Sequence, residues 1–465
     1  MEAHRVNEFV RGEEVGSVPG DVDTLPRLPS IQTMVENYKS GVIDPQVVVG
    51  QAIARSRELG VSGSGVAFVD ERLALAAAAE IADKLMRGET VGRLAGVPIV
   101  VKDNIAVAGI PLTPGSYAVG LGTPSRSAAA VRRLTIEGAV VIGKSHLAEW
   151  ALGATSRNPY RGVVRNPWNR GRSPGGSSGG SAIAVAAGVV PASLGTDTGG
   201  SVRIPAALCG VAGLRPAVST VSLQGVVPVS RTLDTVGPLA RSVCDLRLLL
   251  EVMRRGNLAN PPTRKLTAVR VGVLETEGAP LRDEVLAIVQ GAVEQLGDEY
   301  EKTSVEVNEW VSASEAARVI LQCEAAWFHR DRLREGGDIF GRDVLQRLTA
   351  GAKSSAVEYL TALEFARKWR RKFGDIFKHI DVLLTPTCCD VAPLIQDEDP
   401  YEVTEGLTYF TYPVSLSGLA ALTVPCGMVQ GLPVGMQVCT PAGREALMFD
   451  VAEDIEASWR SRSNK

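Results

Sequence analysis

The sequence contains few of the residues that metal sites, disulfide frameworks and histidine-based catalysis depend on. Its 465 residues include four histidines and seven cysteines, and no two cysteines have the Cys-x-x-Cys spacing of zinc or redox motifs. An odd number of scattered cysteines also argues against a disulfide scaffold. We therefore expect buried free thiols, no metal site and no organic cofactor.

Long apolar runs and an excess of charge of one sign are also missing. No stretch approaches the roughly 18 apolar residues of a spanning helix, and the acidic start MEAHRVNEFVRGEEVG has no apolar core of a secretory signal. The net charge is −3 and there is no basic tail. The chain therefore lacks the positive charge that is usual in proteins that bind nucleic acid or an anionic membrane. We expect a cytoplasmic protein that acts on a small molecule.

Apolar residues recur along the chain alternately at strand and at helix spacing. Val97–Val101 and Val382–Pro386 are short apolar runs that predict buried strands, whereas Ala128–Glu137 and Arg444–Trp459 have the spacing of helices. Strands that alternate with helices are typical of an α/β fold with a covered sheet. Residues 1–30 are polar and contain three prolines, so they predict a loose lead-in.

One segment matches the P-loop pattern of nucleotide-binding proteins letter for letter. It reads GAVVIGKS from Gly138 to Ser145. A P-loop follows a strand and turns flexibly at its variable positions. Here a predicted helix precedes Gly138, and the variable positions hold the strand-forming run Ala-Val-Val-Ile. We interpret the segment as a glycine that ends a helix, followed by a core strand.

A second segment, GGSSG at 175–179, matches the nucleophile elbow of serine hydrolases. That elbow needs a hydrophobic strand before its serine, but the preceding residues NRGRSP predict a polar loop. A Ser-His-Asp hydrolase also needs a histidine near Ser177. His146 is the one candidate that follows a predicted strand, and a structural role suits it better. A Ser-His-Asp hydrolase is therefore the weaker alternative.

Lys102 and a later glycine-serine turn form a third, composite signal. Lys102 directly follows the apolar run Val97–Val101, where burial would lower the pKa of its amine from about 10.4 by the roughly three units that a general base needs. Ser173–Ser181 is a glycine-serine turn ahead of an apolar helix. The amides at such a helix start suit a polarised serine hydroxyl.

The block from Gly195 to Pro205 completes this signal. Its successive glycines allow the amides of Thr198, Gly199 and Gly200 to turn inward, as an oxyanion hole requires. Ser201 follows directly, so its hydroxyl would lie beside those donors. A serine hydroxyl attacks a carbonyl only when a base removes its proton. The three segments together predict a serine hydrolase with a lysine base.

The segment from Gly96 to Pro216 resembles the amidase signature family. Gly175–Ser181 and Gly195–Pro205 match the two most diagnostic blocks of that family almost residue for residue. Weaker similarity covers nearly the whole chain. The resemblance implies a single large α/β fold, with a mixed, mostly parallel, twisted sheet that helices cover on both faces.

The resemblance also implies how the chain is divided. One amidase signature domain would span 31–465, with a catalytic core at about 96–250 and a helical substrate-pocket region at about 280–380 inserted between parts of the core. Ala151, in the sequence WALG, aligns with a wall of the substrate pocket in some relatives. A homodimer is the expectation at the level of the family.

The catalytic triad of the family is Ser–cis-Ser–Lys. Carried onto this sequence, Ser201 attacks the carbonyl, Ser177 transfers the proton, and neutral Lys102 accepts it. The resemblance further implies a cis peptide bond before Ser177. It also implies a buried pair of Asp197 and Arg203 that braces the glycine loop.

Two activities agree with this resemblance. One is a stand-alone amidase for a small amide, and indoleacetamide hydrolases share the segment VRNPW at 164–168. The other is the glutaminase component of a tRNA-dependent amidotransferase, which commonly has Arg-Gln-Pro at 203–205 and a different segment at 222–231. Both departures favour the stand-alone enzyme. A non-catalytic binding protein on this fold is a third possibility, and the intact triad positions argue against it.

Overall fold

The computed structural model describes residues 28–116, 120–254, 269–395 and 400–463. Of the lead-in predicted at 1–30, all but the last three residues lie outside this part of the chain. The helices of the described residues are α1 (Ile31–Lys39), α2 (Pro45–Ser64), α3 (Glu71–Met86), α4 (Ala129–Ile136), α5 (Gly179–Ala186), α6 (Arg203–Cys209), α7 (Val243–Met253), α8 (Asp283–Glu294), α9 (Trp310–Phe328), α10 (Arg330–Glu335), α11 (Arg342–Lys353), α12 (Ala356–Ile376), α13 (Pro400–Thr408), α14 (Thr411–Ser417) and α15 (Glu445–Ser463).

In the part of the chain that the structure describes, eleven strands form one large sheet and two short strands form a separate hairpin. The strands are β1 (Val66–Val69), β2 (Pro98–Lys102), β3 (Val140–Ser145), β4 (Arg157–Asn158), β5 (Gly162–Val163), β6 (Ala192–Asp197), β7 (Ala212–Arg215), β8 (Thr235–Ala240), β9 (Val269–Leu274), β10 (Tyr300–Val305), β11 (Val382–Pro386), β12 (Ala420–Val429) and β13 (Leu432–Thr440). Strands and helices alternate along the chain, so the α/β class predicted from the sequence is confirmed.

The large sheet is mixed, as predicted, with the strand order β1-β3-β2-β6-β8-β7-β12-β13-β11-β9-β10. Parallel pairing joins β3, β2 and β6 in one block and β11, β9 and β10 in another. The strands between these blocks, and β1 at the edge, pair antiparallel. The tight turn Gln430–Gly431 joins β12 to β13, and only antiparallel strands can be joined so closely. Parallel pairing is therefore confined to the two blocks.

Helices pack on both faces of the sheet, as predicted. Val100 of β2 belongs to an apolar cluster that contains Ile183 of α5. Its neighbours Ile99 and Val101 belong to a second cluster, which contains Leu246 of α7. Because successive side chains of a strand point to opposite faces, the two clusters lie on opposite sides of the sheet. None of the helices in the described residues is long and apolar enough to cross a membrane.

The segment that matches the P-loop pattern follows a helix and forms a core strand, as interpreted from the sequence. It begins after α4 and forms β3. Lys144 of this strand is buried, and its amine lies 3.1 Å from Asp103 Oδ1 and donates to Ile105 O at 2.7 Å. A lysine held in this way inside the protein has no role in binding a phosphate.

Candidate active site

Lys102 is the last residue of β2, and its side chain ends inside the protein. β2 lies between β3 and β6 and is parallel to both, so its C-terminal end lies beside that of β6. The amine of Lys102 lies 2.8 Å from Ser177 Oγ and 2.8 Å from Thr196 Oγ1, with Thr196 O at 3.4 Å. The sheet therefore places a fully buried amine among hydroxyl and carbonyl oxygens.

Burial lowers the pKa of Lys102 from 10.5 to about 7. The carboxylates of Asp197 and Asp234 oppose this change but are outweighed. A large share of the amine is therefore uncharged near neutral pH. A neutral amine has two N–H donors and one lone pair. The two oxygens of Thr196 can accept the donors, which leaves the lone pair for the hydroxyl of Ser177.

Ser177 and Ser178 lie in the glycine-serine turn before α5, and they point to different partners. A loop, not a strand, leads directly into this turn, and the peptide bond from Gly176 to Ser177 is cis. Ser177 Oγ faces Lys102, whereas Ser178 Oγ donates to Thr196 O at 3.2 Å. A side chain at Gly176 would approach within 2.7 Å of the backbone nitrogen of Ser156, so this glycine permits the tight packing of the turn. The spacing within the family block had selected Ser177, and this is the serine whose hydroxyl lies beside the amine of Lys102.

Ser201 lies half-buried at the turn between β6 and α6. Its carbonyl oxygen accepts a hydrogen bond from the amide of Ser178 at 3.1 Å, which ties the two serine-bearing turns together. Within the described residues, Ser201 Oγ makes no hydrogen bond, and the residue lines a small cavity. Sequence reasoning thus placed Lys102, Ser177 and Ser201 in one region of the fold.

The amides predicted to form the oxyanion hole differ in their availability. Thr198 and Gly199 line the cavity, and their amides make no hydrogen bond within the described residues. The amide of Gly200 instead donates to Asp197 Oδ1 at 2.8 Å, so the prediction that it serves the hole is not supported. Ser201 also lines the cavity, and its amide is unpartnered in the same part of the chain. The geometry favours Thr198, Gly199 and Ser201 as donors.

Asp197 is braced by two arginines, one of which was not expected from the sequence. Arg203 binds it through Nε and Nη2, both at 3.0 Å, as the predicted pair requires. Arg215 lies 3.1 Å from Asp197 Oδ1 and also donates to the carbonyl oxygen of Asp197. Burial alone would raise the pKa of Asp197, but the two guanidinium groups outweigh burial and hold the pKa well below its usual range. The carboxylate is therefore fixed as an anion under the turn.

The cavity beside Ser201 is built from segments that are distant in sequence. Its lining residues come from the wall after β3, the oxyanion turn and the helices α6, α9, α11, α13 and α14: Ala151, Leu152, Gly153, Ala154, Thr198, Gly199, Ser201, Ile204, Leu321, Gln322, Arg347, Thr404, Thr408 and Tyr412. Ala151 thus lies at the wall where the sequence comparison placed it. Cys388 packs nearby in a buried apolar cluster with Ala154 and Ile204, which both line the cavity.

Arg347 is a charged residue of the cavity that the sequence did not single out. It is buried on α11, and its Nε lies 2.9 Å from Asp343 Oδ1. Its Nη2 donates to Thr404 Oγ1 at 3.1 Å. Arg347 lies one helical turn after Asp343, and this i, i+4 spacing of opposite charges is the sequence feature from which the ion pair could have been predicted. The cavity therefore combines an apolar wall with a guanidinium group.

The histidine alternative is not supported by the geometry. His146 is buried, and burial lowers its pKa to about 4. Within the described residues, no hydrogen bond links its ring nitrogens to Ser177. His4 lies outside the described residues. Within the described residues, no cluster of histidine, cysteine, aspartate or glutamate could hold a metal ion.

Comparison with known proteins places the chain among amide-hydrolysing enzymes. The amidase family profile matches residues 48–449. The A component of the glutamyl-tRNA(Gln) amidotransferase from Archaeoglobus fulgidus is 37% identical over 401 residues, which are 78% of this chain and 86% of that protein. The similarity thus extends over most of the length of both proteins.

Solved structures give the same relationship. A crystal structure of an amidase superposes with a TM-score of 0.87 at 32% identity, and covers 93% of this chain and 100% of its own. The peptide amidase from Stenotrophomonas maltophilia superposes with a TM-score of 0.79 at 29% identity, and covers 93% of this chain and 97% of its own. The chain belongs to the amidase signature family.

Proposed function

We propose that the chain is an amidase that hydrolyses the C–N bond of a small carboxylic amide to an acid and ammonia or an amine. The observation that carries the proposal is the amine of Lys102, buried and 2.8 Å from Ser177 Oγ, with a pKa of about 7. Such an amine can accept a proton at neutral pH, which an ordinary lysine cannot. Ser201, beside unpartnered amides in the cavity, is the nucleophile.

Acylation begins with two proton transfers. The hydroxyl of Ser177 donates to the lone pair of Lys102 and accepts the proton of Ser201, whose oxygen attacks the amide carbon. Within the described residues no hydrogen bond joins Ser201 Oγ to Ser177, and catalytic hydrogen bonds of this kind often tighten only when substrate is bound. The amides of Thr198 and Gly199 then stabilise the oxyanion, and each such donor contributes about 10²–10³ to the rate in other hydrolases.

Collapse of the tetrahedral intermediate breaks the C–N bond. Lys102, now protonated, returns its proton through Ser177 to the leaving nitrogen, so ammonia or an amine departs as a neutral molecule. Water then enters, gives a proton to the same relay and attacks the ester of Ser201. The acid leaves, and Ser201 recovers its hydrogen. In all these steps the protons move between substrate, water and the side chains of Lys102, Ser177 and Ser201.

The glutaminase component of an amidotransferase is the second candidate. The name of the Archaeoglobus fulgidus relative favours it, whereas the similar solved structures include one named as an amidase and one named as a peptide amidase. The departures at Arg203-Ile204-Pro205 and Ser222–Arg231 favour the stand-alone enzyme. A cytoplasmic location and a homodimer stay predictions, and light scattering of the purified chain checks the latter.

A panel of amides separates these candidates. The purified chain is incubated with primary amides, anilides, ureas and glutamine, and released ammonia or amine is measured. The stand-alone enzyme hydrolyses at least one simple amide well and glutamine poorly. A preference for glutamine that grows when a partner protein is added would reverse the order of the candidates.

A covalent probe separates either enzyme from a non-catalytic binding protein. A fluorophosphonate is expected to label Ser201, and peptide mass spectrometry identifies the site. The Ser201→Ala variant is the control and should remain unlabelled while it unfolds cooperatively. If the wild-type chain is not labelled and releases nothing from the panel, the catalytic proposal is wrong.

A further inference from the structure

We propose that Asp234 and Glu324 are positioning residues that hold Thr198 at the cavity wall through one shared loop, residues 228–234. The inference rests on the proposed function, in which the amide of Thr198 stabilises the oxyanion. The loop lies between the catalytic turn and helix α9, and neither Asp234 nor Glu324 lines the cavity of Ser201. Their effect on the reaction is therefore indirect.

The first anchor is the hydrogen bond between Thr198 and Asp234. The hydroxyl of Thr198 donates to Asp234 Oδ1 at 2.6 Å, and both residues are buried. Asp234 Oδ2 accepts the amides of Val229 at 2.9 Å and Ser230 at 3.1 Å. One carboxylate therefore joins the side chain of the oxyanion turn to the backbone of the loop. Because the hydroxyl of Thr198 is bound to Asp234, which does not line the cavity, this bond restrains Thr198 at the cavity wall.

The second anchor is Glu324 on α9. Its Oε2 accepts the hydroxyl of Ser230 at 2.6 Å and the amide of Thr232 at 3.0 Å. Its Oε1 accepts the hydroxyl groups of Thr232 and Tyr359, the latter at 2.8 Å. The carboxylate thus has four donors from two parts of the chain. It fixes the loop to α9 through Ser230 and Thr232, whereas Thr198 is bound through Asp234.

The consequence is a rigid connection between two walls of the cavity. The cavity that Thr198 lines is also lined by Leu321 and Gln322, which lie just before Glu324 on α9. The loop sets the distance between the wall that holds the substrate and the amides that hold the oxyanion. An error of about 1 Å in such a distance costs about 100-fold in rate. We expect loss of an anchor to lower kcat more than it raises KM, because the oxyanion exists only in the transition state.

Three variants and a matched control test the connection. Thr198→Val removes the hydroxyl at nearly constant shape, and Glu324→Gln exchanges a carboxylate for an amide that also carries N–H donors. Thr198→Ser restores a hydroxyl that can reach Asp234. Glu315→Gln is the control, because Glu315 is an exposed residue of the same helix, far along α9 from the loop anchors.

Kinetics on the best amide of the panel give the first readout. Thr198→Val and Glu324→Gln should each lower kcat about 10- to 100-fold with KM within about twofold, and Thr198→Ser should recover most of the loss. Because both substitutions act through one loop, the double variant should lose less than the product of the single losses. Glu315→Gln should match wild type. Multiplying losses, or losses that appear only in KM, would overturn the proposal.

Amide hydrogen exchange gives a readout that does not depend on activity. Thr198→Val and Glu324→Gln should speed exchange of the peptide covering 195–202, and Glu315→Gln should not. If wild type neither reacts with the fluorophosphonate nor hydrolyses any amide, the proposed function fails, while this exchange still reports the anchors. Unchanged exchange in both variants would refute the anchors even in an active enzyme.

Discussion

The activity should rise as one buried amine, that of Lys102, loses its proton. Lys102 has its pKa lowered from 10.5 to about 7 by burial, a change of about 3.5 units. At 1.36 kcal/mol per unit this corresponds to a net destabilisation of the ammonium form by about 5 kcal/mol, after the opposing attraction of Asp197 and Asp234 is included. Since only the neutral amine can accept the proton of Ser177, kcat/KM should rise with pH, reach half its plateau near pH 7 and level off about one unit higher.

The assay is kcat/KM for the best amide of the panel between pH 5 and 9.5, with enzyme stability checked at each pH. Lys102→Arg keeps a cation that does not deprotonate in proteins, so it should lose several orders of magnitude and the alkaline rise. Lys144→Arg is the matched control on the neighbouring strand, and it should keep the midpoint. A flat profile, or a midpoint near 10, would refute the assignment of Lys102 as the base.

The same pKa shift predicts how stability depends on pH. The unfolded chain binds a proton at Lys102 below about pH 10.5, but the folded chain does so only below about pH 7. The free energy of unfolding should therefore fall as the pH drops from 10.5 to 7, by at most about 5 kcal/mol, and should not change further from this group below pH 7. Denaturant titrations of wild type and Lys102→Met should differ in this slope. Equal slopes would mean that burial does not depress the pKa.

Other substitutions give separate tests of the site. Ser177→Ala should lower kcat by about 10²–10⁴, whereas Ser178→Ala should lose far less because its hydroxyl bonds to Thr196 O and not to the lysine; equal losses would contradict the relay. Asp197→Asn should lower the free energy of unfolding at pH 7 by about 3–5 kcal/mol, measured with denaturant, because two buried guanidinium groups lose their anion. In wild type that contribution is present above about pH 4 and is lost as the pH falls further, since the pKa of Asp197 is lowered from 3.8. Arg347→Met should raise KM for amides that carry a carboxylate and change KM little for neutral ones; equal changes would place Arg347 outside substrate recognition.

The positions of the lysine and the relay serine were predictable because local sequence determines them. An apolar run that ends in Lys102 forms a buried strand, and a strand end leaves its last side chain at the edge of the sheet. Ser177 follows glycines that permit the tight turn, and the spacing within the family block chose it over Ser178. In both cases the decisive feature lies within a few residues of the side chain.

The orientation of the amides could not be predicted in the same way. The run Thr198-Gly199-Gly200 shows that the backbone is free to turn, but not which way each N–H points. The carboxylate of Asp197, three residues earlier, takes the amide of Gly200 and so removes it from the cavity. That choice depends on where Arg203 and Arg215 hold the carboxylate. Arg347 escaped prediction for a related reason, since its cavity neighbours come from other parts of the chain.

The arrangement around Asp197 also explains how a lysine can stay uncharged near neutral pH next to buried acids. Asp197 and Asp234 both favour the charged form of Lys102 and so act to raise its pKa. The carboxylate of Asp197 is occupied by Arg203 and Arg215, and that of Asp234 accepts three hydrogen bonds. The groups bound to each carboxylate thus offset part of its negative charge, which weakens its attraction for the ammonium form of Lys102. The braces of the turn therefore do more than hold the backbone: they allow burial to determine the pKa of the base.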